Sequence, residues 1–367
     1  MHNVLITGGA GFIGSNFIRY LIEVEPDVQV FNLDALTYSG SLENLKDLSA
    51  TERLTFIHGD ICDRDLVNSI LNQHNIDTIV HFAAESHVDR SILGPEQFIQ
   101  TNVVGTFTLL EAARNTWLPG VGAHKPLSKK LRFHHISTDE VFGSLKSGDP
   151  PFCETTHYAP NSPYAASKAA SDHLVRAYGN TYGLPYTITN CSNNYGPYQF
   201  PEKLIPLMIL NALEGRSLPV YGDGLQIRDW LYVEDHCEAI WKVLRHAKEG
   251  DTFNIGGGNQ PTNLTIVQSL CKILDELCPE SPFKPHHNLI QFVTDRPGHD
   301  RRYAMNIDKI SQKLDWRPRH TLEEGLLKTA RWYLEHSGWV KAIRQQQEYQ
   351  GWLTKNYDQR QSIIPKG

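Results

Sequence analysis

Six cysteines in 367 residues, at positions 62, 153, 191, 237, 271 and 278, stand far apart and include no C-x-x-C pair. That pattern excludes the usual spacing of a structural zinc site and argues against a disulfide framework, leaving reduced thiols as the expectation. No apolar run approaches the roughly 20 residues of a transmembrane helix. The first apolar segment, Val4 to Ile6, runs straight into glycines, so no signal peptide is read there. Charge of one sign is nowhere concentrated. Thirty-five Lys and Arg against 41 Asp and Glu leave a net charge of −6 spread along the chain, with no basic stripe to hold nucleic acid. The 17 histidines include no H-E-x-x-H or similar ligand spacing, so no metal site is expected. What remains is an ordinary globular composition, 40% apolar and 21% charged. Its length suits one large domain or two smaller ones, and its expected compartment is the cytoplasm.

The opening segment is specific. Val4-Leu5-Ile6 reads as a short buried parallel strand. Gly8, Gly9, Gly11 and Gly14 follow, leading into a helical period from Ser15 to Ile22. Glycines at such a junction allow a tight turn and let a pyrophosphate reach the free N–H groups of the helix N-terminus. The predicted second strand, Val28 to Leu33, ends at Asp34, about 20 residues past the last glycine, where an acid can accept from ribose hydroxyls and repel a 2′-phosphate. No arginine stands between Ala35 and Gly40, so NAD is favoured over NADP.

Strands alternate with helices for about 190 residues. A strand over 54–61 ends at Asp60 and Ile61, which could flank adenine. A helix over 65–74 precedes a strand over 77–84, whose small Ala83 and Ala84 would let a cofactor pass closely. Glu85, Ser86 and His87 then fall outside a strand's carboxyl end, where open α/β sheets bind ligands. A helix over 96–115 carries Asn102, and 117–130 reads as a surface loop. The predicted class is α/β, a Rossmann-type doubly wound parallel sheet.

Between Ser137 and Lys168 lies a dense set of proton-handling groups. Ser137-Thr138-Asp139-Glu140 follows an apolar strand, Phe133 to Ile136, and Tyr164-Ala-Ala-Ser-Lys168 opens a helix. Spacing of i,i+4 puts Tyr164 and Lys168 on one helix face. A nearby ammonium favours the phenolate and would lower the tyrosine's pKa, making it a usable base. Two neighbouring carboxyls with opposite roles would need their pKa values pushed apart.

Together the glycine cradle, Asp34, Ser137-Thr138 and Tyr164-x-x-x-Lys168 resemble the extended short-chain dehydrogenase/reductases. The stretches 6–16, 34–40, 83–91, 134–141, 193–199 and 228–230 narrow the resemblance to the dTDP-glucose 4,6-dehydratases, over nearly the whole chain to about residue 340. Thr138-Asp139-Glu140 is the specific part. Related epimerases carry small residues at the two acidic positions, and the GDP-mannose and decarboxylase relatives keep an acid at only one.

The resemblance implies an NAD-dependent hydro-lyase of deoxysugar (rhamnose-type) nucleotide synthesis, acting as a homodimer. Hydride passes from C4 of the sugar to NAD, water is eliminated across C5 and C6, and hydride returns to C6. Tyr164 with Lys168 and Thr138 would handle the C4 hydroxyl, Glu140 the C5 proton and Asp139 the departing C6 oxygen. Gly8, Gly11, Phe12, Ile13, Gly14, Asp34, Ala35, Leu36, Thr37, Asp60, Ile61, Ala83, Ala84, Ser86, Asn102, Ser137 and Asn194 would hold NAD, together with Tyr164 and Lys168. Ser86, His87, Thr138, Asn193, Lys203, Leu204, Pro219, Tyr221, Arg228, Asn263, Asp295, Arg296 and His299 would hold dTDP-glucose, the two arginines as diphosphate partners. The helices over 96–115 and 164–182 would pair across a two-fold axis.

After Ser192 the alternation weakens and prolines and aromatics increase. The expected division is a cofactor domain over 1–190, a substrate lobe over 191–345 with some return to the sheet, and a peripheral tail over 346–367. Rival readings are a nucleotide-sugar 4-epimerase, a UDP-glucuronate decarboxylase, and a non-catalytic NAD sensor. Asp139 beside Glu140 argues against the first two, and retention of Tyr164 and Lys168 with both acids argues against the third.

Overall fold

The structure, a computed structural model, describes residues 1–118, 130–295 and 298–345. Eleven strands form among the described residues: β1 (Asn3–Thr7), β2 (Gln29–Asp34), β3 (Leu54–His58), β4 (Thr78–His81), β5 (Arg132–Thr138), β6 (Tyr186–Cys191), β7 (Asn193–Tyr195), β8 (Leu218–Tyr221), β9 (Trp230–Tyr232), β10 (Thr252–Ile255) and β11 (Ile290–Val293). Seven make one parallel sheet in the order β10-β6-β5-β4-β1-β2-β3. Its central strands are buried throughout, as β5 and β6 are, because helices cover both faces. One face packs on Val67, Leu71, Leu109, Ala113 and Val175, and the other on Phe17, Leu21, Cys237 and Ile240. The doubly wound α/β sheet is therefore as expected.

Boundaries shifted where the chain meets the cofactor side. β3 stops at His58 and β4 at His81, so Asp60-Ile61 and Ala83-Ala84 lie on loops past the strand ends. β5 runs on through Thr138, so Ser137 and Thr138 are still held in the sheet. The helix expected over 96–115 is interrupted: a π-helical segment, Ile99–Gly105, joins Glu96–Phe98 to Thr106–Trp117. π-Segments inside helices are frequent at functional sites, and this one presents Asn102 to the loop after β4. Most of the expected loop over 117–130, and the tail over 346–367, lie outside the described residues.

Beyond β6 a second apolar core gathers helices Leu204–Leu213, Asn263–Leu277 and Leu322–Glu335 around Met208, Leu270, Leu274 and Tyr333, beside the parallel pair β8 and β11. The chain returns to the sheet twice. β10 adds an edge to β6, and the helix Ser337–Arg344 brings Trp339 Nε1 within 2.8 Å of Asn44 Oδ1. Asn44 in turn donates to the Ala10 carbonyl at 2.8 Å.

The first turn leaves no space for side chains. Gly8 has φ +73°, and a Cβ there would lie 2.6 Å from the Ala83 nitrogen. A Cβ on Gly14 would lie 2.4 Å from the Gly8 carbonyl oxygen. Gly8→Ala combines a left-handed penalty with overpacking against main chain, an expected loss of about 2–4 kcal/mol. Thermal unfolding of the purified variant checks this; an unchanged midpoint would contradict the close approach.

Candidate active site

A cleft of about 1640 Å³, solvent mouth included, runs across the carboxyl ends of the strands and into the second lobe. It is lined from Gly8 to Lys203, which suits a dinucleotide with a second ligand better than a single small molecule.

At one end the helix Phe12–Val24 begins with Gly11 as its N-cap and with no side chain closing it, which leaves its first amides able to receive an anion. Asp34 ends β2 with Oδ2 accepting from the Ala10 amide and Oδ1 from the Leu36 amide, both at 2.8 Å. Burial pushes this carboxyl up, and the two amides pull it back. Each carboxylate oxygen retains acceptor capacity for a hydroxyl. Gly11, Phe12, Ile13, Ala35, Thr37, Asp60, Ile61, Ala83, Ala84 and Ser86 join it on the wall. The Cβ-excluding turn, the open helix end and the acid thus fit NAD.

Three expected cofactor contacts differ. Asn102 is buried behind the wall: its amide donates to the Glu85 carbonyl and Ser167 Oγ, and its oxygen accepts from Glu85 N, so it pins the loop instead of lining the cleft. Leu36, with φ +50°, lines a neighbouring depression with Tyr38 and Leu93. Ser137 reaches the cleft wall, but its hydroxyl donates away from it to Asp172.

The residues expected to be catalytic converge at the end of β5. Thr138 caps the short 3-10 turn Asp139–Phe142 by accepting from the Glu140 amide at 3.3 Å, and its hydroxyl meets Asp139 Oδ1 at 3.2 Å. Asp139 is 2% exposed. Burial first, then the Glu140 and Asp229 carboxylates, hold its carboxyl well above the usual range. That direction favours the protonated form of Asp139. Its Oδ2 has no hydrogen-bond partner among the described residues.

Tyr164 and Lys168 share the helix Pro163–Tyr182, which Ser162 caps through the Ala165 amide. The expected lowering of the tyrosine's pKa is not found. Burial and then the Glu140 charge drive Tyr164 well above its ordinary value, with the Thr138 hydroxyl bond opposing them. Lys168 Nζ donates to the Ile136 carbonyl at 2.7 Å, and burial lowers its pKa to about 8, against the opposing charge of Asp172.

Behind this pair sits a network absent from the sequence reading. Asp172, fully buried, accepts from Ser137 Oγ at 2.9 Å, Tyr158 OH at 2.6 Å and Asn190 Nδ2 at 3.3 Å, and lies 3.3 Å from His135 Nε2. It stands four residues beyond Lys168 on one helix face, the spacing that could have disclosed it.

On the far side Asn193, Asn194, Gln199 and Lys203 line the cleft, and Lys203 is the N-cap of the helix that begins at Leu204. Asn194 is oriented by His236 Nδ1 at 2.9 Å; burial drives that histidine to about 3, so it is neutral. His87, Leu204, Pro219, Tyr221, Arg228, Asn263, Asp295 and His299 stand outside the main cleft wall. Several of them form their own group: Asp295 accepts from Gln226 at 2.9 Å and meets His299 at 2.6 Å, His299 packs edge-on to Tyr221, and the Asn263 amide donates to the Gln226 carbonyl. Arg228 donates to the Ile227 and Asp300 carbonyls, stacks over Tyr303 at 4.3 Å, and its charge reaches Asp139. Arg296 lies outside the described residues. His87 faces Glu202 at 3.6 Å.

Known proteins resemble this chain closely. A family model described as GDP-mannose 4,6 dehydratase matches residues 5–329. The dTDP-glucose 4,6-dehydratase of Shigella flexneri is 55% identical over 366 residues, 98% of this chain and 99% of that one. The dTDP-glucose 4,6-dehydratase structure from Streptomyces venezuelae, with NAD bound, is 46% identical with a TM-score of 0.83, over 93% of this chain and 99% of that one. The Bacillus anthracis enzyme of the same name, in complex with NAD, is 43% identical with a TM-score of 0.82, over 94% of this chain and 100% of that one. By sequence and by fold alike, the chain belongs to the GDP-mannose 4,6-dehydratase family, among its dTDP-glucose 4,6-dehydratases.

Proposed function

We propose that this cleft converts dTDP-glucose to dTDP-4-keto-6-deoxyglucose and water, with NAD held at the glycine turn and Asp34. The observation that carries the reading is Asp139, buried beside Glu140 at the end of β5 with its carboxyl shifted toward the protonated form. An elimination needs an acid for the leaving oxygen and a base for the carbon acid, side by side and in opposite protonation states. Bound NAD supplies a hydride acceptor for C4 and a hydride donor for C6. The chain's residues do the rest. Tyr164 takes the C4 hydroxyl proton as phenolate, a form that burial disfavours and the positive charge of bound NAD would favour. Thr138 stands beside it, Glu140 takes the C5 proton, and Asp139 protonates the departing C6 oxygen. Lys168 holds positive charge behind the tyrosine, and the charge of Asp172 favours the lysine's protonated form.

We assign Ser86, His87, Asn193 and Lys203 to the sugar and diphosphate, the helix start at Leu204 and Arg228 to the diphosphate, and the group around Pro219, Tyr221, Asn263, Asp295 and His299 to the nucleoside. Arg296 belongs with them by sequence. On this assignment residues 1–190 hold the cofactor and 191–345 mainly the substrate. Six cysteines free of disulfides, and the lack of any membrane-length apolar helix among the described residues, support a cytoplasmic location.

Ile92, Leu93, Ile99, Val104 and Phe107 are 37–54% exposed on the helical stretch 88–117. Such a row supports a homodimer through this face. Ile99→Asp with Phe107→Asp is expected to halve the mass seen by light scattering; a variant that keeps the wild-type mass argues against this interface.

The activity test is incubation with dTDP-glucose and detection of the alkali-induced absorbance of a 4-keto-6-deoxy sugar. Turnover of UDP-glucose alone would overturn the assignment. Glu140→Gln should lower turnover about a hundredfold or more and accumulate bound NADH at 340 nm, because oxidation at C4 proceeds while C5 keeps its proton. A cofactor that stays oxidised throughout would contradict the division of roles.

The rate should fall as pH rises through about 8, where Lys168 loses its proton. Stability moves the other way. Between about 8 and the ordinary lysine value of 10.5, the unfolded chain binds a proton that the folded chain lacks, so this group adds stability with rising pH. A rate that stays level across that window, or a loss that tracks unfolding, would speak against the role of Lys168.

A further inference from the structure

We propose that His236 is a positioning residue for the cofactor: its ring N–H holds the Asn194 side chain so that the amide oxygen receives the nicotinamide carboxamide. The proposal rests on the reading above, in which NAD lies in this cleft. Asn194 stands on the cleft wall in β7, directly after β6. In the sheet order, β6 and Asp34 on β2 lie on opposite sides of the β1–β4 pair. A dinucleotide laid across the carboxyl ends of such a sheet places its two nucleotides on opposite halves, so the half away from Asp34 takes the nicotinamide.

The two ends of a side-chain amide look alike, and their partners tell them apart. The atom 3.0 Å from the Ser192 carbonyl is the nitrogen, because a carbonyl oxygen only accepts. The atom 2.9 Å from His236 Nδ1 is therefore the oxygen, and Nδ1 carries the hydrogen that it donates. His236 is fully buried, and burial drives its pKa down to about 3, so the ring is neutral and has that one hydrogen to give. Nε2 is left as a bare acceptor with no partner among the described residues. A sealed, unpaired nitrogen is unfavourable, and an apolar side chain would avoid it. The compensating contact is the bond to Asn194. The backbone of Asn194 is fixed separately: β7 pairs with β9 there, and the Asn194 carbonyl accepts from Gln199 Nε2 at 2.9 Å. Of the two lone pairs on Asn194 Oδ1, His236 occupies one and the other can take a donor in the cleft. The cofactor's phosphates only accept, whereas its carboxamide carries N–H.

The protein, stripped of bound nucleotide, is titrated calorimetrically with NAD and, separately, with ADP-ribose, which lacks the nicotinamide. His236→Phe is expected to weaken NAD about tenfold and ADP-ribose by no more than about twofold. His236→Gln, which can donate to the same oxygen, should recover most of the NAD affinity. Asn194→Ala should lose NAD to a similar degree, and the double variant should bind no worse than Asn194→Ala alone. Equal losses for the two ligands, no loss at all, or losses that add in the double variant overturn the proposal. Should His236→Phe fail to fold, the other two variants decide. Asn194→Ala must lose NAD while keeping ADP-ribose, and His236→Gln must bind NAD better than Asn194→Ala does; the reverse of either overturns the role. Wild-type protein that binds neither ligand sinks the cofactor reading itself, a distinguishable failure.

Discussion

The hydrogen bond from Lys168 Nζ to the Ile136 carbonyl is the contact from which the rest of the site is measured. It fastens the Pro163–Tyr182 helix to the middle of β5, two residues before the chain leaves the sheet. A buried ammonium is costly unless its donors are satisfied and its charge is met. The carbonyl takes one of its three donors and Asp172 contributes the opposing charge. With that cross-brace in place, the tyrosine one turn earlier and the Thr138-Asp139-Glu140 corner of the strand are brought together. Neither half alone makes the proposed site. On the proposed reading, the helix carries the groups for C4 and the strand end carries the elimination pair.

The same burial that fixes geometry divides the carboxyls. Asp139 is pushed toward its neutral form by burial and by the charges of Glu140 and Asp229, whereas Glu140 is more exposed at the cleft. Adjacent residues on a tight turn point apart, and here that small difference in exposure separates acid from base. The second lobe takes part: Asp229, held by the Gly257 amide at 2.8 Å, adds negative charge that keeps the Asp139 proton in place, while Arg228 opposes it. The acidity of Asp139 is thus set partly by residues of the second lobe.

Much of this was legible in the sequence because it depended on local chemistry. Gly8 and Gly14 announce a turn in which no Cβ fits, Asp34 falls one βα unit later, and Tyr164 with Lys168 obeys helical spacing. What escaped depended on depth. The Tyr164 pKa was misread because i,i+4 spacing puts an ammonium nearby but says nothing of the carbonyl that claims it or of burial. Asn102 sits in a π-helical segment whose register no 3.6-residue period discloses, and its amide braces the Glu85 backbone. Asp172 looked like one more polar residue on a helix; only folding turns His135, Ser137 and Tyr158 toward it. The residues outside the main wall, such as Asn263 and His299, are joined by contacts across the second lobe that no short motif records.

The contact between Trp339 and Asn44 spans 295 residues of chain and ends, through Asn44, on the carbonyl of Ala10 inside the glycine turn. During synthesis the turn emerges well before its brace. Every intervening strand and helix must be spelled out before that indole arrives. Completion of the glycine turn is thereby tied to completion of the second lobe, so the turn is finished long after it is made.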